Sequence, residues 1–203
     1  MTSFANLSSG RRKLVLLSAL FALPMIVAYA LYFGGWRPSA TGNYGELVQP
    51  ARAIEDIALV TLDGQPIRFS DLRGKWTLIA FAAADCPKAC ERNLYHVRQV
   101  IAAQGEKADR VQSVLVLTDS KALDWWRYTI KDYPGMRVVV VPPPALAALA
   151  RQFTLPAGSP LDNPYRIYLI DPLGNLMMSY PADADPNGLR KDLARLLRVS
   201  RIG

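Results

Sequence analysis

The first feature of the hydrophobic pattern is an uninterrupted apolar run from Leu14 to Phe33, about 20 residues without a charge. As a helix, a run of that length spans a bilayer core. Pro24 falls inside it, and membrane helices tolerate proline better than soluble ones. Arg11, Arg12 and Lys13 precede the run, and Tyr29, Tyr32 and Trp36 gather at its far end like an interfacial aromatic belt. The positive-inside rule then makes residues 1–13 a cytoplasmic N-terminus and 14–33 a transmembrane anchor, with everything after it exported. A cleaved signal peptide is the competing pattern, because Ala28-Tyr29-Ala30 has the small-x-small form of a cleavage site. The run continues through Leu31, Tyr32 and Phe33, longer than a usual signal core, which favours an uncleaved anchor. Residues 34–49 contain Gly34, Gly35, Pro38, Ser39, Thr41, Gly42 and Gly45, the composition of a linker. The folded domain is therefore expected over residues 50–203.

Within that domain, Ile57 to Leu62 alternates and breaks at Asp63-Gly64, a hairpin signal, with Ile67 and Phe69 on the returning strand. A polar turn, Ser70 to Lys75, leads into Trp76–Ala82, a short apolar run of the kind found in buried central strands. That run delivers the chain to Asp85-Cys86-Pro87-Lys88-Ala89-Cys90. Cys90, Leu94, Val97 and Ile101 then recur at helical spacing, and the helix is expected to end at Gly105. Val111–Leu117 reads as a second buried strand, followed by a helix from Ala122 to about Lys131. Met136–Val141 is a third, closed by Pro142-Pro143-Pro144, with a short helix over 145–153. Ile167–Ile170, the turn Asp171-Pro172-Leu173-Gly174 and Leu176–Tyr180 form a second hairpin. Leu189, Leu193, Leu196 and Leu197 mark a last amphipathic helix. This succession predicts an α/β domain, a mixed sheet with flanking helices in the order of a thioredoxin-like fold, preceded by one transmembrane helix.

Charge changes the picture little. The net charge is +7, and Arg11, Arg12 and Lys13 account for three of it. The remaining cations are interspersed with acids and form no stripe interleaved with aromatics, so nucleic-acid binding is excluded. Arg190, Lys191, Arg195, Arg198 and Arg201 do bias the last helix, as cations near a helix C-terminus on a solvated face.

Cysteine usage is more informative. The chain has 2 cysteines, four positions apart. A structural framework would spread several bridges over the chain, so a close pair points to reactive or metal-binding sulfur. At a strand-to-helix junction the first cysteine meets the helix N-terminus, where the dipole favours thiolate. Pro87 suits the first helical position; Lys88 adds a positive charge and Asp85 opposes it. One turn apart, the two side chains come within about 5–6 Å. That separation serves two ligands on one soft ion, or a disulfide after a small adjustment. Two buried structural cysteines are the bland alternative.

A buried strand followed by Cys-Pro-x-x-Cys at a helix start (Cys86-Pro87-Lys88-Ala89-Cys90) resembles the Sco/SenC family. These are membrane-anchored, thioredoxin-fold factors that mature the copper centre of cytochrome c oxidase. The resemblance extends over most of 54–199 and includes Phe69-Ser70-Asp71-Leu72-Arg73-Gly74-Lys75, Tyr168-Leu169-Ile170-Asp171-Pro172-Leu173-Gly174 and the single N-terminal span. It implies that Cys86 and Cys90 match the family's two thiolate copper ligands. The family's third ligand is the histidine of an Asp-His pair, and counting back from Tyr168 places Asp162-Asn163 there: Asn163 stands at the lost ligand position. Glu91 replaces a second proline after the motif, and Thr118-Asp119-Ser120 stands where an Asp-Pro-centred motif is usual. The resemblance further implies a bacterial inner membrane protein with its C-terminal domain in the periplasm. Its partner would be a cytochrome c oxidase subunit or another assembly factor.

His96, the only histidine, lies about 240° around the helix from Cys90 and points away from the pair as a solvated residue. Met177 and Met178 are soft sulfur donors on a strand, where methionine is ordinarily core. A peroxidase would place Thr three residues before the reactive cysteine, where this chain has Ala83, and Arg166 alone does not rescue that reading. Three functions remain. The first is thiol–disulfide exchange through Cys86 and Cys90, with Cys86 as attacker and Cys90 as resolver. The second is Cu(I) carriage by the same two sulfurs, since a d¹⁰ ion accepts low coordination whereas Cu(II) wants the missing imidazole. The third is a partner-binding module without chemistry. Pro164, close before the late strand, falls near the place where thioredoxin-like folds often put a cis-proline.

Overall fold

The computed structural model describes residues 9–35, 42–162 and 164–203. They divide into two units, one ending at Gly42 and one running from Asn43 to Gly203. In the first, helix α1 (Ser9–Phe33) carries Pro24 within it. Its stretch Gly10–Phe33 is long and apolar enough to cross a membrane. Leu16, Phe21, Met25 and Tyr32 all lie exposed, the all-round apolar surface that lipid accommodates. Trp36, placed in the aromatic belt by the sequence, lies outside the described residues.

The second unit is built on one eight-stranded mixed sheet in the order β1-β8-β7-β4-β5-β6-β2-β3. The strands are β1 (Glu46–Ala53), β2 (Ala58–Thr61), β3 (Pro66–Arg68), β4 (Trp76–Ala82), β5 (Val111–Leu117), β6 (Met136–Val140), β7 (Ile167–Ile170) and β8 (Asn175–Tyr180). The helices are α2 (Lys88–Ala102), α3 (Leu123–Thr129), α4 (Pro143–Gln152) and α5 (Pro186–Val199). β4, β5 and β6 run parallel, and β7 returns antiparallel to β4. Every residue of β4 and β5 is buried, which is why both are mostly apolar in the sequence; the polar exceptions are Thr77, Gln112 and Ser113, and Gln112 Nε2 donates to Thr77 Oγ1 and to the Leu72 carbonyl.

Side chains alternate across the sheet. Ile79, Phe81, Val114, Val116 and Tyr168 pack with Leu149 and Phe153 of α4 and with Phe69 and Leu72. Ala80, Ala82, Leu115 and Leu117 face the other way, against Cys90 and Leu94 of α2 and Trp126 of α3. On that same face, farther toward β8, Leu78 and Leu169 meet Val97 and Val100 of α2 and Leu189, Leu193 and Leu197 of α5. The sheet is thus covered on both sides, and the cysteines sit under α2 at the C-terminal end of β4.

Two expectations change. The folded unit starts before Pro50, because β1 takes in Glu46–Gln49 from the anticipated linker and pairs antiparallel with β8. β1 is an edge strand with a register shift between Leu47 and Arg52, mostly exposed. Such a strand holds a proline and shows no period-2 pattern. Second, the prolines after β6 belong to a helix: Pro142 is the N-cap of α4, and Pro143 opens it, since an N1 position has no intrahelical N–H to lose.

Candidate functional site

Cys86 and Cys90 are joined in a disulfide, with Cα atoms 5.2 Å apart. Both are buried, at 3% and 1% exposure. Their placement differs from the expected one in a way that matters. Pro87 is the N-cap of α2, in extended conformation, not its first helical residue. Cys86 therefore lies ahead of the cap at φ +33°, in the left-handed region that non-glycine residues avoid. Its N–H donates to the Ala83 carbonyl at 3.2 Å, closing a turn. Cys90 is the third helical residue, and its N–H donates to the Pro87 carbonyl at 2.7 Å. Both sulfurs are thus carried at the first turn of α2, so the helix dipole distinguishes them less than a full turn of separation implies.

Several side chains hold this turn, and local spacing in the sequence did not single them out for the role. The Trp126 indole N–H donates to the Ala84 carbonyl at 3.0 Å, with Trp126 and Ala84 both wholly buried. The Ala84 N–H donates to Asp119 Oδ2 at 3.3 Å, while the other oxygen accepts from the Lys121 N–H at 2.9 Å. Asp119 belongs to the stretch that departs from the family's pattern. From the far side, Asn93 Nδ2 donates to the Tyr165 carbonyl at 2.8 Å. Asn93 is a buried polar residue one turn beyond Cys90. Tyr165 itself stands at φ +69°, and its N–H donates to the Phe81 carbonyl at 3.2 Å. Burial, and then the negative charge of Asp85, push the Tyr165 phenol above its ordinary range. Beside the turn opens a cleft of about 300 Å³, lined in part by Ala83, Thr118, Leu146, Leu161, Pro164 and Tyr165.

The other sequence candidates separate. Asn163 lies outside the described residues, and with it the Asn163–Pro164 bond. His96 is half-buried on α2 rather than fully solvated, with its ring 6.2 Å from that of Tyr95. Met178 packs in the core beneath α5, apart from the cysteine cluster, with its sulfur 3.7 Å from the Tyr180 hydroxyl oxygen. Met177 packs against the same core. Arg166 is buried and structural, ion-paired with Glu46 and bonded to Ser179 Oγ. Among the described residues no group of three or more His, Cys, Asp or Glu side chains could hold a metal ion. Two sulfurs alone, once reduced, suit a soft ion of low coordination and not Cu(II).

A buried disulfide at the strand-to-helix corner of a two-sided mixed sheet defines a thioredoxin-like protein with a Cys-x-x-x-Cys centre. Residues 76–200 match the family of transmembrane-like, thioredoxin-like C-terminal domains, and the chain belongs to that family. No curated protein is significantly similar in sequence. Solved structures supply closer likeness in fold. Apo Sco1 from Thermus thermophilus shares 22% identity at a TM-score of 0.64, over 78% of this chain and 99% of its own. Copper-bound ScoI from Arabidopsis thaliana shares 21% at 0.61, over 73% and 99%. BsSco, a member of the Sco family of cytochrome c oxidase assembly proteins with a disulfide switch, shares 14% at 0.58, over 74% and 96%. The resemblance to Sco/SenC proteins drawn from the motifs is borne out, and it is a likeness of fold.

Proposed function

We propose that this protein is a Sco-like factor of cytochrome c oxidase assembly that works by thiol–disulfide exchange through Cys86 and Cys90. The observation that supports this best is the pair itself: two sulfurs at bonding distance on a clamped turn, with no third ligand beside them among the described residues. In the forward direction the Cys86 thiolate attacks a client disulfide and forms a mixed disulfide, releasing one client thiolate. The Cys90 thiolate then attacks Cys86 Sγ and releases the second. The client gains two electrons and this pair loses them; a thiol-containing reductase restores the dithiol. Cys86 is the attacker on grounds of access, because Asp85, Pro87 and Lys88 around it are exposed, whereas Cys90 lies on the buried face of α2.

The client is an oxidase subunit or another assembly factor, and the domain works on the exported, periplasmic side of a bacterial inner membrane. Cys90→Ser should trap mixed disulfides with a client, and Cys86→Ser should trap none. If neither variant traps a partner or alters oxidase assembly, a binding module replaces the exchange reading. Reporter fusions after residue 50 test the side of the membrane.

The copper-bound structures of similar fold favour one alternative cargo, Cu(I), held by the same two thiolates. Copper titration separates the readings: Cu(I) binding that needs both cysteines, with weak Cu(II) binding raised by Asn163→His, supports carriage. A stable Cu(II)–thiolate complex in the unaltered chain would refute the two-sulfur donor set.

A further inference from the structure

Helix α5 carries a surface that the cysteine chemistry leaves unused. Its charged residues are Arg190, Lys191, Asp192, Arg195 and Arg198. The single acid is turned inward: Asp192 Oδ2 accepts from the Tyr44 N–H at 2.8 Å, the Gly45 N–H at 3.0 Å and the Tyr180 hydroxyl at 3.1 Å. The solvent side of α5 is left with cations only. Lys191, Arg195 and Arg198 are exposed at i, i+4 and i+7, on one stripe, and Arg201 is exposed just beyond. Large apolar groups share the surface, with Tyr44 at 59%, Val199 at 74% and Ile202 at 48% exposure.

The helix dipole accounts for Arg198, which lies in the last turn of α5, but not for the stripe as a whole. Lys191 lies outside the last turn, where the dipole acts. The Arg110 guanidinium already donates to the carbonyls of Leu197, in the last turn of α5, and of Ser200, Ile202 and Gly203 beyond it, at 2.6–2.9 Å.

Connectivity indicates what the face meets. Tyr44 is clasped to α5, for Lys191 Nζ donates to its hydroxyl at 3.2 Å and lies 5.0 Å from its ring centre. Gly188 adds to the clasp, since a Cβ there would come within 2.8 Å of Tyr44 Cβ. The chain from Phe33 to Tyr44 reaches at most about 40 Å when extended. In the second unit the first residues after the linker, Tyr44 and Gly45, are those bonded to α5. Exposed lysine and arginine beside a tyrosine and two shallow aliphatic groups match an anionic bilayer surface.

We propose that the face made by Tyr44, Lys191, Arg195, Arg198, Val199 and Ile202 docks the domain on anionic phospholipid headgroups of the membrane that α1 crosses. The inference rests on α1 being a membrane span and is independent of the cysteine chemistry. Docking would fix which way the cysteine turn faces relative to a membrane-bound client.

The test uses the full chain in nanodiscs whose lipids are brominated near the headgroup. A Val199→Trp variant reports contact as quenching above that of the parent chain, which supplies the background of its own tryptophans. The expected result is added quenching in phosphatidylglycerol–phosphatidylcholine discs, absent in phosphatidylcholine alone and reversed by high salt. Removing charge as Lys191→Gln, Arg195→Gln and Arg198→Gln together should lower the docked ratio about fivefold per cation, roughly a hundredfold in all. An unchanged thermal midpoint shows that the variant folds. Equal quenching in both lipids, no quenching in anionic discs, or an unaffected triple variant overturns the proposal and leaves the face to an acidic protein partner. Failure of the chain to enter discs overturns the span, and the docking with it.

Discussion

Replacing Trp126 by phenylalanine tests whether the cysteine turn is held from outside or holds itself. The indole N–H is the donor to the Ala84 carbonyl at 3.0 Å, and both residues are fully buried. Phenylalanine keeps most of the apolar contact and removes that donor. A buried carbonyl left without its partner costs about 1–3 kcal/mol. The smaller ring adds a partial cavity worth about 1 kcal/mol. The sum, about 2–4 kcal/mol, lowers the unfolding midpoint of a domain this size by roughly 5–15 °C.

Far-UV circular dichroism of the oxidised chain, heated in detergent, measures the shift. The second readout is local. Because Ala84 lies two residues before Cys86, loosening it should speed reduction of the buried disulfide by a small thiol under conditions where the fold persists. A loss below about 0.5 kcal/mol, together with an unaltered reduction rate, would refute the claim that the indole clamps the turn. A large stability loss with an unaltered reduction rate would reduce Trp126 to a core residue.

Other consequences follow from named contacts. Closing a loop of only four residues contributes about 2 kcal/mol at most, so urea unfolding with and without a reductant should differ by no more than that. Asp192→Ala strands two backbone N–H groups and the Tyr180 hydroxyl, and should cost about 3–5 kcal/mol by chemical denaturation. Asp56 is held at about 2 by its hydrogen bond to Arg68 and by the Ser70 N–H, below its model-compound value of 3.8. A carboxyl depressed in the folded state stabilises above its unfolded value, and that contribution disappears as pH falls through about 2. Acid titration of stability should therefore show a limb that Asp56→Asn flattens, and an identical limb in the variant would refute the assignment.

How legible these features were depends on whether their cause is local. β5 and β7 were predicted residue for residue, and β4 likewise, because a strand buried on both faces is apolar at most consecutive positions, as residues 114–117 and 78–82 are. The strand-to-helix corner carrying Cys86 and Cys90 was legible for the same reason. β1 was not, since an edge strand with Pro50 and a register shift has no periodicity to read. The pre-proline rule keeps Cys86 out of the right-handed helical region. Its left-handed conformation comes from the turn closed on Ala83, which no spacing reveals. The clamps are the clearest case. Trp126 meets Ala84 across 42 positions and Asn93 meets Tyr165 across 72; each is set by how α2 and α3 pack on the sheet. A signal did exist in Asn93: a polar residue three positions after Cys90, on the apolar face of its helix, needs a buried partner.

The strained residues bear on why the disulfide exists. The non-glycine residues in the left-handed region are, among those described, Cys86 at φ +33° and Tyr165 at φ +69°. One carries the disulfide, and the other packs beside the cluster that holds it. Each such conformation costs about 1–2 kcal/mol. Strain at Cys86 alone therefore offsets much of the roughly 2 kcal/mol that so short a loop can contribute. A cross-link whose contribution is largely cancelled by the residue that bears it is a poor staple. Trp126 and Asp119 hold the turn at the carbonyl and the N–H of Ala84, while Asn93 ties α2 to Tyr165 beside it, and all three contacts run through backbone atoms rather than through sulfur. None of these contacts depends on the S–S bond. The exchange reaction proposed above for Cys86 and Cys90 therefore predicts that the turn keeps these hydrogen bonds on reduction, which amide hydrogen exchange at Ala84 would check in the two oxidation states.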